Sequence, residues 1–201
     1  MIFRRATEAD LDAIEKMYEE GVQLVLLDKK LTLTTSCSSP LGELTLASED
    51  GETLSGLWLE GQKYFAATAR GMMRTADELP LFDDVKTWLA EYFAGKKPEI
   101  SRLPLAPEGS EFRRTVWDIL CEIPYGQTMT YGQIGARISE QREPQGKTRK
   151  IAQAVGGAVA HNPISIIIPC HRVVGKDGRL TGYAGGVEKK EWLLSHEGAR
   201  L

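Results

Sequence analysis

The chain is poor in the residues that hold metals and disulfides: three cysteines (Cys37, Cys121, Cys170) and three histidines (His161, His171, His196) in 201 residues. An odd cysteine count without paired spacing supports no disulfide framework, and no Cys-x-x-Cys or His-x-x-x-His pattern points to zinc. Neither metal nor cofactor is expected. No apolar run approaches the roughly 18 to 20 residues that cross a bilayer. The stretch Met1 to Asp10 lacks an apolar segment with a cleavage site, so a cytoplasmic protein with no membrane partner is expected. Net charge is only −3, which argues against a nucleic-acid partner until the chain is divided. Residues 1–100 carry 11 Lys+Arg against 18 Asp+Glu, whereas residues 101–201 carry 14 against 10. A basic second half suits a face that meets phosphates, and equally an unevenly composed solvated surface.

What is present is an ordinary core, 42% hydrophobic, in a length that suits one large or two small domains. Thr7 to Asp10 reads as a helix start, with Leu11, Ile14, Met17, Tyr18 and Val22 at helical spacing. From Leu31 to Leu59 short alternating runs separated by Ser-Ser-Pro and Glu-Asp-Gly-Glu predict an antiparallel meander. Leu81, Val85, Trp88, Leu89, Tyr92 and Phe93 predict a helix closed by Gly95 and Pro98, followed by an extended linker near Ile100 to Leu105. Ser110 and Thr130 are placed to cap two further helices, and a third is predicted from Thr148 to Ala160. That last helix is built almost throughout from small residues, which fit tight packing as well as a DNA groove.

Ile166 to Val174 reads Ile-Ile-Ile-Pro-Cys-His-Arg-Val-Val, an apolar strand-like run that ends by presenting a thiol beside an imidazole and a guanidinium. A thiol with a pKa of about 8.5 is mostly protonated near neutrality, so a nucleophilic Cys170 needs a base or a positive neighbour. His171 and Arg172 can supply either, while a lone buried cysteine of no chemical consequence is the plainer reading.

Tyr125-Gly126, Tyr131, Gln153 to Ala158, Asn162-Pro163, Ile168 to Val173, Gly182 to Gly186 and Glu191 to Gly198 occur in the order found in O6-alkylguanine-DNA alkyltransferases. The resemblance covers Leu31 to Gly198, with Pro-Cys-His-Arg its most specific block. It implies an α/β (α+β) protein: a small mixed α/β domain with an antiparallel sheet (residues 31–105), then a mainly helical domain (106–201) with a winged-helix-like helix-turn-helix. Residues 1–30 fall outside it, and their beginning is similar to the first strand and helix of GNAT acetyltransferases, too little chain for that fold.

By the same resemblance Cys170 takes the alkyl group, His171 receives its proton through a water, Glu197 orients His171, Asn162 ties the thiol loop, and Tyr131 serves the departing guanine. Val173, Tyr183, Ala184, Val159 and Ser165 would line the base pocket. Ala152, Gln153, Ala154 and Gly156, with Lys147, Arg149 and Lys150, would meet DNA. The implied partner is double-stranded DNA carrying O6-alkylguanine, with O4-alkylthymine as a further substrate, and a monomer is expected. Gln153 stands where the family commonly has an arginine, and Ala184 where it often has serine. Ser139 to Lys147 is longer than the family's turn, with charges that suit solvent or DNA. Two other classes stay open: a cysteine hydrolase using the same thiol, and a lesion-binding module that flags damage without repairing it, like the alkyltransferase-like proteins that lack the cysteine.

Overall fold

The computed structural model describes residues 31–141 and 148–199. The helix expected within residues 1–30 and the greater part of the Ser139 to Lys147 segment lie outside the described residues.

Three strands form the expected meander: β1 (Leu31–Ser39), β2 (Gly42–Ser48) and β3 (Gly56–Leu59), with β1–β2 and β2–β3 antiparallel. Gly42, at φ 100°, makes the tight β1–β2 connection possible, because a side chain resists that backbone conformation. A fourth strand, β4 (Met72–Thr75), adds to the free edge of β1 in parallel, giving the order β3-β2-β1-β4 and a mixed sheet. All four β4 residues are exposed, so its sequence shows no alternation between buried and open positions.

Helix α1 (Pro80–Phe93) begins with a proline, whose missing N–H costs nothing in a first turn, and ends before Gly95 at φ 77°. It buries Leu81, Phe82, Val85, Trp88, Leu89 and Tyr92. The following segment is a short 3-10 turn, Ile100–Arg102, rather than extended throughout. Beyond it the chain does extend: Leu54 N donates to Pro104 O and Ala106 N to Leu54 O, both at 2.8 Å.

The helical part opens with α2 (Glu111–Cys121), whose N-cap Ser110 accepts from Arg113 N. A short strand, β5 (Met129–Thr130), leads into α3 (Tyr131–Gln141), where Thr130 Oγ1 accepts from Gln133 N at 3.2 Å. The Gln133 side chain accepts in return from Thr130 N at 2.7 Å, which makes a capping box. Helix α4 (Thr148–Ala160) packs against α2 and α3. Trp117 of α2 donates its indole N–H to Ala158 O at 2.9 Å, fixing the end of α4. β6 (Val173–Val174) pairs in parallel with β5, and α5 (Val187–His196) follows.

The strand-like reading of Ile166 to Ile168 is corrected. These residues are buried but form turns, with Ile166 at φ 70°, a conformation that branched side chains avoid. Asn162 is the reason: its Nδ2 reaches Ile164 O (3.2 Å) and Ile168 O (2.8 Å), taking carbonyls that a neighbouring strand would otherwise bind. A fully apolar run carries no periodicity to separate strand from turn. Leu57 of β3 joins this loop to the sheet, donating to Pro163 O and accepting from Ser165 N, both at 2.9 Å.

Candidate active site

The thiol-bearing Cys170 lines a cavity of about 240 Å³ and sits on a 3-10 turn, Cys170–Arg172, that follows the strained loop. Cys170 is 4% exposed, and its Sγ accepts a hydrogen bond from Asn162 Nδ2 at 3.1 Å. Burial pushes the thiol pKa above its ordinary value, countered in part by the Asn162 bond and the nearby Lys190 charge. At rest the group is therefore a protonated thiol, and action as a nucleophile would require a base.

His171 is the neighbouring base. It is wholly buried, which lowers its pKa, although Glu197 works in the other direction. Its Nε2 sits 2.8 Å from Glu197 Oε1. Burial alone would raise the Glu197 pKa, but bonds from His171 and Arg172 and the Arg172 charge outweigh it and hold the carboxyl ionised well below the usual range. An ionised acceptor assigns the proton to Nε2 and leaves Nδ1 as the basic nitrogen of a neutral ring. Nδ1 has no hydrogen-bond partner among the described residues, so its lone pair is free to take a proton.

Glu197 is held from several directions. Arg172 donates Nε to Oε2 (2.8 Å) and Nη2 to Oε1 (2.9 Å), and caps Ile123 O through Nη1 (2.6 Å). Gly126 N donates to Oε2 at 3.1 Å, and Tyr92 Oη to Oε1 at 2.7 Å. Gly126 has φ 75°, and a Cβ there would lie 2.7 Å from Glu197 O, so only glycine allows this approach.

The cavity brings together six of the residues singled out in the sequence: Tyr131, Gly156, Val159, Cys170, Tyr183 and Ala184. Tyr131 opens α3, and its hydroxyl accepts from Thr181 Oγ1 at 3.2 Å. The Tyr183 hydroxyl is buried near Ser165 but forms no hydrogen bond of normal geometry, and burial followed by the Cys170 charge drives its pKa up. Val173 and Ser165 do not line this cavity. Val173 is buried in β6, and Ser165 Oγ donates to Gln62 Oε1 at 3.1 Å. On α4, Gln153 and Ala154 are exposed and Ala152 is half-buried. Arg149 and Lys150 belong to the first turn of α4, though their side chains, like Lys147 altogether, lie outside the description.

Several residues escaped the sequence reading. Lys63 and Tyr64 line the cavity from the loop after β3, Tyr92 reaches Glu197 from α1, and Lys190 is fully buried with Nζ donating to Val173 O (2.5 Å) and Thr181 O (2.8 Å). Tyr92 sits at a helical core position and Lys190 in a charged run, so neither carries a local signal of its partner.

Residues 111–199 match the DNA binding domain of 6-O-methylguanine DNA methyltransferase, and residues 32–107 match the ribonuclease-like domain of the same family. The chain belongs to the 6-O-methylguanine DNA methyltransferase family. A methylated-DNA–protein-cysteine methyltransferase of Haemophilus influenzae is 43% identical over 159 residues, covering 79% of this chain and 82% of that protein. One from Methanosarcina barkeri is also 43% identical, over 79% of this chain and 92% of its own length. The crystal structure of Mycobacterium tuberculosis OGT in complex with DNA superposes with a TM-score of 0.69 at 37% identity, covering 84% of this chain and 92% of that one. This methyltransferase thus keeps the family's mixed α/β first part and helical second part. Among its described residues no helix is long and apolar enough to cross a membrane.

Proposed function

We propose that this methyltransferase repairs double-stranded DNA by moving a methyl or larger alkyl group from guanine O6, and from thymine O4, irreversibly onto Cys170. The observation that carries the reading is a buried thiol lining a base-sized cavity, next in sequence to a buried imidazole whose free nitrogen is defined by an ionised carboxylate.

The alkyl carbon cannot be reached inside the base stack, so the nucleotide is extruded into the cavity first. Helix α4 enters the minor groove, where base readout is degenerate and little sequence preference results. Ala152 and Ala154 allow close approach to the duplex, Gly156 leaves room where the helix borders the cavity that the base enters, Gln153 occupies the space the base leaves, and Lys147, Arg149 and Lys150 neutralise phosphates. Helices α2, α3 and α4 form the helix-turn-helix of a unit spanning 106–201, supported by 31–105.

In the cavity, the thiol proton passes through a water to His171 Nδ1, with Glu197 stabilising the imidazolium that forms. Sulfur attacks the saturated carbon, the carbon–oxygen bond breaks with its electron pair going to guanine, and Tyr131 donates a hydrogen bond or proton to the departing ring. Asn162 holds the sulfur during this step. Val159, Tyr183 and Ala184 contact the base, the last through its backbone, while Val173 and Ser165 act from behind the cavity wall. The product is a thioether, which water does not cleave, so each monomer reacts once. The chemistry calls for no cofactor and takes place in the cytoplasm.

The test is intact-protein and peptide mass spectrometry after mixing the protein with duplex oligonucleotide containing one O6-methylguanine, alongside Cys170→Ser. One methyl mass on the Cys170 peptide, absent from the variant, is expected. Binding without mass gain would replace the reading with a lesion-flagging module.

A further inference from the structure

The loop after β3 has no part in the reaction described above, yet it walls the Cys170 cavity with Lys63 and Tyr64. It is fastened on both flanks. Gln62, itself buried, accepts through Oε1 from Leu59 N (2.8 Å) and Ser165 Oγ (3.1 Å), and Lys63 N donates to Ala184 O (2.9 Å). Phe65 packs on Trp58, ring centroids 5.7 Å apart. Between these anchors Tyr64 has φ 60° and Ala66 φ 52°, backbone conformations uncommon for residues bearing a Cβ. The result is a large aromatic residue left 48% exposed in the cavity lining.

One face of that ring is already covered. His161, just beyond α4, lies nearly parallel to it, with centroids 4.0 Å apart and planes 25° from each other. His161 is held in turn by Nδ1, 2.7 Å from Gly157 O. The other face of Tyr64 is available to a ring that enters the cavity. Cys170 and Tyr64 line the same cavity, the first 4% and the second 48% exposed, so with the O6-alkyl carbon against the buried sulfur the purine attached to it extends toward the more open side, where Tyr64 is.

We propose that Tyr64 is a substrate-binding residue of the first part of the chain, stacking on the extruded alkylpurine and extending the Tyr64–His161 pair into a three-ring pile. This rests on the alkyl-transfer reading. Stacking is blind to base identity and to the alkyl group, so Tyr64 stabilises the extruded base without taking part in bond breaking. It thereby raises occupancy of the cavity rather than the rate within it.

The test is single-turnover transfer by the full chain from duplex O6-methylguanine over a range of concentrations, and alkylation by the free base O6-benzylguanine, for wild type, Tyr64→Ala, Tyr64→Leu and Tyr64→Phe. Loss of an aromatic–base stack should raise the half-saturation concentration of the Ala and Leu variants roughly 5- to 150-fold, with the maximal rate nearly unchanged. The second-order constant for the free base should fall by a similar factor, and Tyr64→Phe should behave as wild type. Half-saturation unaltered in Ala and Leu, or a loss confined to the maximal rate, overturns the proposal. So does a loss seen with duplex but not with free base, which would put Tyr64 against the DNA strand. A wild type that acquires no methyl group overturns the parent reading as well; a wild type that does, with variants that match it, overturns this proposal alone.

Discussion

Lys190 sits in the run Glu188-Lys189-Lys190-Glu191, which in sequence is indistinguishable from a solvated helix face, yet it is 0% exposed and its ammonium is bound to two carbonyls. Burial lowers its pKa from 10.5 to about 8. The folded state therefore releases this proton before the unfolded state does. Between pH 8 and 10.5 the unfolded chain binds more protons, and stability rises with pH through that window; below pH 8 the full penalty of the buried charge is present. In a Cys170→Ser background, which removes the thiol's own titration, the unfolding free energy of the Lys190 protein should gain on that of Lys190→Met by on the order of 3 kcal/mol across this range. Denaturant melts at a series of pH values check it, and parallel curves would show an ordinary lysine. The pairing of Cys170 with His171, in contrast, was legible in the sequence as a candidate, since a thiol beside an imidazole already suggests a nucleophile and a base. The strain at Ile166 was not, because a backbone angle is dictated by what captures the neighbouring carbonyls.

Among the elements, α4 answers the question its small residues raised. Gly156 and Ala158 face inward, a Cβ on Gly156 meeting Tyr131 at 4.0 Å and Ala158 O receiving the Trp117 indole. Gly157 and Ala154 face outward, and a Cβ on Gly157 meets nothing within 4 Å. Small residues thus serve packing on one side and an open surface on the other. Gln153 lies on the open side and carries no charge. Gln153→Arg should tighten duplex DNA binding and steepen the plot of log K against log salt by about 0.9, the value for one more neutralised phosphate. Fluorescence titrations at several salt concentrations check it; an unchanged slope would place residue 153 outside the duplex interface. Helices α1 to α4 and the meander were readable because periodicity and caps are local; α5 was not expected from the sequence. β4 was not, since an exposed edge strand held by its backbone alone has no side-chain pattern.

At the scale of the molecule, the buried Glu197 carboxylate is held by residues far apart in sequence. Tyr92 of α1 donates to Glu197 across 105 positions, to the same oxygen that receives His171. A hydrogen bond to a buried charge typically contributes about 1.5–3 kcal/mol, so Tyr92→Phe should lower stability by that order and also slow methyl transfer. Thermal melts and single-turnover rates check the pair of effects. A loss of stability with transfer unaltered would mean that Arg172 and Gly126 position Glu197 without help.

The sequence by itself determined α1 to α4, the meander and the family's Pro-Cys-His-Arg block, because each rests on spacing within a few residues or on the chemistry of adjacent side chains. Tertiary structure alone decided that Tyr92 and Lys190 join the site, that Tyr64 walls the cavity, and that Ile166 to Ile168 turn instead of extending. These depend on which distant donor meets which buried carbonyl or carboxylate, and such pairings are settled only when the chain closes around its core.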